Sequence, residues 1–356
     1  MSSTQTPLGL SSQDVAVQSI RSIAQPSTSR KKYSSYRRTP GSRRIEAAER
    51  VYPRSPGDAE TDDQDLPRFT GLISTTWHTY KITPLYKFKA EISYLKKYGR
   101  LLAAFIEAER KKGDAVDVEG ESADRVEMSL YHGLQVTQDD PVAVQILMRA
   151  QNKNGTGAMK TVLTAYLMGV EMEEKLDPHL QQAFVHYPVV LVRGPVALTR
   201  YLFDWLRSHF DCSASRLTFS SLDLSWILAM WCGKEGARSS KPVELIYSVP
   251  PDCEGLDKIT MTIDPEDCRG IWSCIHDPGH QDVTADEVAA LASCLENHFY
   301  QHFKIKLTAM QLVSVGTALA FVGSEGKVKL FSGDNALLIL RHLTCLAMEQ
   351  LGTYQQ

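Results

Sequence analysis

The sequence has no apolar run long enough to cross a membrane, no cysteine before position 212, and none of the short fingerprints of common catalytic sites. Each absence excludes a class. Without an apolar span, and with a polar N-terminus, neither a transmembrane helix nor a signal peptide is expected. The seven cysteines are an odd count scattered through apolar segments with no secretory signal, so they read as free buried thiols in a reducing, intracellular compartment. There is no G-x-S-x-G, dinucleotide-binding glycine pattern, phosphate loop or H-E-x-x-H, which leaves little to support an enzyme. The formal charge is only −3, so the chain is not a basic coat for nucleic acid, and any such role needs a local patch.

What is present divides at about residue 65. Residues 1–65 are rich in Ser, Thr, Gln, Pro and Arg and too poor in apolar side chains to offset the entropy of ordering, so a disordered tail is expected. Its charge is segregated. From Arg21 to Arg54 ten Lys and Arg face two Glu, and five acids then follow from Asp58 to Asp65. The basic block RKKYSSYRRTPGSRR is compatible with a nuclear-import signal, a weak nucleic-acid arm or a merely soluble tail. Within it, Thr39-Pro40 is a candidate proline-directed phosphorylation site, where phosphate would offset part of the basic charge.

Residues 66–356, in a chain that is 43% hydrophobic, can bury a sizeable core. A short helical segment through Phe69, Leu72, Ile73 and Trp77 leads into alternation at Tyr80, Ile82, Pro84, Tyr86 and Phe88. That period of two predicts a strand with an aromatic face inward and Lys81, Lys87 and Lys89 outward, limited by Pro84. The period then turns helical, with Ile92, Leu95, Tyr98, Leu102, Phe105 and Ile106 on one arc and lysines opposite, ending at Gly113. That basic face reads either as a solvated rim or as a polyanion-facing surface.

Strands are expected at 115–118, 125–130, 142–149, 158–170, 187–192 and 242–249, with a turn at 152–157. Pro195 opens a helix whose apolar side ends in a packed His209. LSWILAMW (224–231) is apolar nearly all round and must be buried. Asp264-Pro265-Glu266-Asp267 and the Thr284/Glu287 capping box start two further helices. Strands are expected again at 303–307, 310–322 and 327–331, followed by a helix over about 335–351 with no broad polar side.

Two constellations merit chemical attention. Cys268, Cys274, His276 and His280 lack the spacing of a zinc element, and the His298/His302 pair lacks a third ligand, so no cofactor is expected. A metal- or thiol-dependent enzyme is the alternative reading. In the C-terminal hairpin, a four-residue turn at 323–326 would set Val322 opposite Lys327 and Ala320 opposite Lys329. The bulky Val313, Val315, Leu319 and Phe321 would then face the core beside Val328 and Leu330. Small residues (Ser314, Gly316, Ala318, Ala320) and the two lysines would form the other face, open to a phosphate backbone or covered by a helix. The final helix, being apolar all round at a chain end, is a candidate partner interface through Leu337, Leu340, Leu343 and Met348. It falls within a partner-binding end at 303–356 that could include an exposed strand edge.

From Leu66 onward the chain resembles the centromere protein L family of kinetochore subunits. The resemblance rests on TPLYKF (83–88) with YGRLLAAFIEAERKKG, LSWILAMW (224–231), DPED (264–267) with Ile271-Trp272, HFYQHFKIKL (298–307) and GKVKL (326–330). It implies an α+β fold with a large curved, mainly antiparallel sheet and flanking helices. It also implies a non-enzymatic nuclear role at the centromere, in a heterodimer with centromere protein N. Centromere protein C, other constitutive centromere-associated network subunits and nucleosomes containing centromere protein A are the further partners implied. Lys160, Lys327 and Lys329 align with the family's DNA-facing lysines, whereas Ser314 stands where relatives carry a basic residue.

Overall fold

The computed structural model describes residues 69, 71–112, 125–135, 140–151, 159–169, 183–232, 241–253, 255–277, 282–333 and 335–352. Its strands are β1 (Thr76–Ile82), β2 (Leu85–Tyr86), β3 (Arg125–Tyr131), β4 (Ala143–Gln151), β5 (Met159–Met168), β6 (Phe184–Val185), β7 (Val189–Arg193), β8 (Ala214–Arg216), β9 (Val243–Ser248), β10 (Lys258–Ile263), β11 (Gln311–Gly316), β12 (Ala320–Gly323) and β13 (Lys327–Leu330). The helices are α1 (Ile92–Lys112), α2 (Val196–Phe210), α3 (Ser221–Cys232), α4 (Pro265–Ile275), α5 (Ala285–Phe303) and α6 (Ala336–Gly352). The fold is α+β. One open antiparallel sheet runs in the order β10-β9-β11-β12-β13-β1-β7-β5-β4-β3, with β8 also paired to β1. Among the described residues no helix is long and apolar enough to cross a membrane.

The run Val189–Val192 explains the layering. Successive strand residues point to opposite faces, so a strand apolar at every position must be covered on both. Val189 and Leu191 join a core built by α3, α4, α5 and α6. Val190 and Val192 join a second core built by α1 and α2. The two helical layers therefore lie on opposite faces of the same sheet, and the cores beneath them overlap across β1, β7, β5 and β4. α1 and α2 cover the half running through β5, β4 and β3; the other four helices cover the half running from β13 to β10. Each fully buried aliphatic side chain in these cores contributes about 1.5–3 kcal/mol.

Local signals set several of these elements. Asp264 accepts a hydrogen bond from the Glu266 backbone N–H ahead of Pro265, and Thr284 and Glu287 form the reciprocal capping box that starts α5. α3 buries Leu224, Ile227, Leu228, Ala229, Trp231 and Cys232, as its lack of a polar side requires. His209 packs on Trp205 at 4.8 Å between ring centroids, with Nδ1 3.1 Å from the Trp205 carbonyl.

Several expectations need correction. Trp77 belongs to β1, not to a preceding helix. Lys81, placed by alternation on an outer basic face, is buried and donates to Gln350 of α6 at 3.1 Å. Ile92 is exposed rather than on the buried arc. The segment 303–307 is no strand: α5 runs to Phe303 and Leu307 opens a short 3-10 turn. The single strand expected at 310–322 is two, β11 and β12, because Thr317 builds a tight turn. Its hydroxyl lies 3.2 and 3.3 Å from the N–H groups of Leu319 and Ala320, a bend that a continuous strand cannot accommodate. The tail at 1–65, including Thr39, the strand at 115–118 and the turn at 152–157 lie outside the described residues.

Candidate nucleic-acid interface

The β12–β13 hairpin has a different register from the one expected. Gly323 lies opposite Lys327, Val322 opposite Val328, Phe321 opposite Lys329 and Ala320 opposite Leu330. The loop holds three residues rather than four, because Gly326 adopts φ +76°, which closes a shorter hairpin. Every face assignment on β12 shifts by one in consequence. Val322 and Ala320 enter the core with Val328 and Leu330, while Phe321 moves to the lysine side.

Cross-strand partners share a face, so the pairings define rungs across the sheet. One rung reads Ile246, Ser314, Gly323, Lys327 and His78. The next reads Glu244, Gly316, Phe321, Lys329 and Thr76. Since His78 also pairs with Val192, this face is the one that α1 and α2 cover elsewhere. In the β9–β13 half no described helix sits on it. Lys327 and Thr76 are exposed, and Lys329, Phe321 and Ser314 are half-buried. The floor is low because Gly323 and Gly316 are close to their neighbours: a Cβ at either would already stand 3.4 Å from Ser314 Oγ or Glu244 Cβ, respectively.

The face is basic with aromatic support. Lys241 Nζ lies 3.5 Å from the centre of the Phe331 ring, and Lys329 Nζ lies 5.6 Å from the same ring. A cation over an aromatic face is attracted by the ring's quadrupole, which here places both ammonium groups near Phe331. His78 sits between Lys327 and Arg216, and its pKa is lowered first by burial and then by these two cations. Lys241, Arg216 and Lys258, which shares a rung with Ser248, carry no signal in the sequence that would select them. No periodicity marks Lys241, which lies just before Pro242 and outside any strand.

Of the expected lysines, Lys327 and Lys329 are brought together on one strand and one face. Lys160 is not adjacent to them. It is exposed at the start of β5, opposite Ala150, and the bulge at Val162 keeps it on the same face as the other two. Three strand spacings separate β13 from β5, about 14 Å sideways. Ser314 lies in the rung of Lys327, two strands away, where a basic side chain would extend the same patch.

The four residues expected at a partner interface are placed differently. Leu340 and Leu343 are enclosed in the chain's own core. Only Leu337 and Met348 are part-exposed, so most of α6 buries its apolar surface internally. A buried titratable group goes with it: burial pushes the His342 ring down to about 4.

The Cys and His residues are dispersed. Cys268 is buried in the core and Cys274 is exposed on the same helix, while His276 stacks on Trp272 and pairs with Glu287 at 3.2 Å. His298 and His302 are neighbouring rings on α5, 4.6 Å apart. His280 lies outside the described residues. Among the described residues no group of three or more His, Cys, Asp or Glu is placed to hold a metal ion.

Residues 71–351 match the model of the family described as Centromere protein L. The chain is similar to "Centromere protein L" of Xenopus tropicalis, 38% identical over 284 residues, covering 79% of this chain and 80% of that one. The Homo sapiens protein of the same name is 34% identical over 324 residues, 90% of either chain. That of Gallus gallus is 34% identical over 293 residues, covering 82% and 83%.

Proposed function

The chain belongs to the centromere protein L family, and on that premise we propose that it is a non-enzymatic kinetochore subunit that holds DNA by its phosphate backbone. It acts in the nucleus, at the centromere. It works as a heterodimer with centromere protein N, on chromatin containing centromere protein A and alongside centromere protein C, and so supports kinetochore assembly and chromosome segregation in mitosis. The observation that carries the DNA reading is the half-face of the sheet that no described helix covers, where Lys327 and Lys329 stand over a glycine and serine floor. Donors of this type fix position on a duplex without reading sequence. Lys160 extends the track along the same face, and Lys241 broadens it. The partner contacts the C-terminal end through the part-exposed Leu337 and Met348, while Leu340 and Leu343 support that helix from beneath. β10, the last strand of the described sheet, offers a free edge for a further strand.

Changing Lys160, Lys327 and Lys329 together to Ala should weaken DNA binding by the heterodimer on every sequence tested. The slope of log affinity against log salt should fall by about 0.9 for each phosphate that is no longer neutralised. Ser314→Lys should raise the slope by a similar step. Fluorescence anisotropy on two unrelated duplexes over a salt series reads both. An unchanged slope with the heterodimer intact sinks the assignment.

A further inference from the structure

On the side of the molecule away from the lysines, α3 and α6 leave a groove between them. It is lined by Leu222, Asp223, Trp226, Met230, His342, Cys345, Leu346 and Glu349. The apolar walls are Trp226, Met230 and Leu346. Leu222, 64% exposed, stands at the mouth. Two carboxylates, Asp223 and Glu349, lie close enough that Asp223 helps hold the Glu349 carboxyl above its ordinary range, after burial. The His342 ring in the lining is only 4% exposed, packs edge-on against Trp231 and has no hydrogen-bond partner at Nδ1.

We propose that this groove binds a short linear segment of another protein, one large apolar anchor flanked by Lys or Arg. The volume, about 190 Å³, lies below the roughly 300–1,000 Å³ of cofactor and small-molecule sites and suits a single side chain. The paired carboxylates select cationic flanks. Tryptophan among anchors brings the largest flat apolar face to lie along Trp226 and Met230. The site lies across the sheet from the DNA face, so both ligands can be held at once.

The test uses the full chain and a 12-residue synthetic peptide library with a fixed central tryptophan and varied flanks, read by fluorescence polarisation. Lys- and Arg-flanked members should bind saturably, and Ala in place of the anchor should weaken binding about tenfold or more. Glu349→Lys should reverse the flank preference, and Leu222→Ser, at an exposed position that leaves the core intact, should weaken every binder. The proposal fails if the Ala-anchored peptides bind equally, if Glu349→Lys leaves the flank preference unchanged, or if no member binds. It also fails if sedimentation shows a dimer that Leu222→Ser dissolves, since the occupant would then be a second copy.

Discussion

Replacing Gly326 with alanine is expected to destabilise the protein by about 2–5 kcal/mol, from left-handed backbone strain and from overpacking. The second effect dominates. A Cβ at this position would stand 2.3 Å from the Leu217 carbonyl oxygen and 3.0 Å from Thr79 Oγ1, and the first of these is backbone that cannot rotate away. The Gly326 carbonyl also accepts from both the Thr79 N–H at 2.8 Å and the Thr79 hydroxyl at 3.0 Å, inside the core edge. Moving the loop to relieve the clash breaks both bonds and displaces Lys327, the next residue. Gly255 supplies the control: its φ is +82°, yet a Cβ there meets nothing within 4 Å. Gly255→Ala should therefore cost only the backbone strain, about 1–2 kcal/mol. Urea unfolding of the two variants beside the parent separates the terms. Equal losses would mean that close approach at Gly326 matters little.

Acid should selectively weaken the packing of α6. The His342 ring is enclosed and its pKa falls to about 4 from the ordinary 6.5, entirely through burial. Between those values the unfolded chain binds a proton that the folded chain refuses, so stability falls as pH falls through this window and levels off below it. Linkage puts the loss between pH 7.5 and 5 at about 2 kcal/mol from this residue alone. His342→Phe keeps a ring against Trp231 and removes the titration. Its unfolding free energy should therefore change about 2 kcal/mol less between the two pH values than the parent's does. His78 and His298 also have lowered values, chiefly from burial, but they titrate in both proteins and cancel in the comparison. Parallel curves for parent and variant would show that the ring is solvated when charged.

The parts of this fold that are legible in the sequence are those specified by neighbours a few residues away. Asp264 and Thr284 announce α4 and α5 because their caps close within three residues. Val189–Val192 announces a doubly covered strand because every side chain in it is apolar. The lysine pair at 327 and 329 is also visible, and so is the small-residue floor at Ser314 and Gly316. The face of β12 is not, because it depends on one backbone angle at Gly326, which turns a four-residue loop into a three-residue one. Nor can alternation show that Lys81 is buried: its partner, Gln350, is 269 residues away. Lys241 reaches the basic face over the ring of Phe331, a contact with no sequence periodicity behind it. Assigning Leu340 and Leu343 to a partner has a sound basis, an apolar helix at a chain end, but the sheet and α3 enclose them first.

β1 also governs the order in which the chain can assemble. It lies between β7 and β13, and its bond from Thr79 to Gly326 spans 247 residues. The strands β3, β4, β5 and β7, with α1 and α2, form a mostly local unit that can close early. On a ribosome, β8 can pair Tyr80–Ile82 on the second edge of β1 midway through synthesis, but Thr76–His78 must wait for β13, the last strand. Contacts of such long range close slowly, since loop entropy is lost before any pairing compensates it. During that interval Trp77 and its neighbours present an unpaired, apolar edge, the kind of surface that chaperones shield.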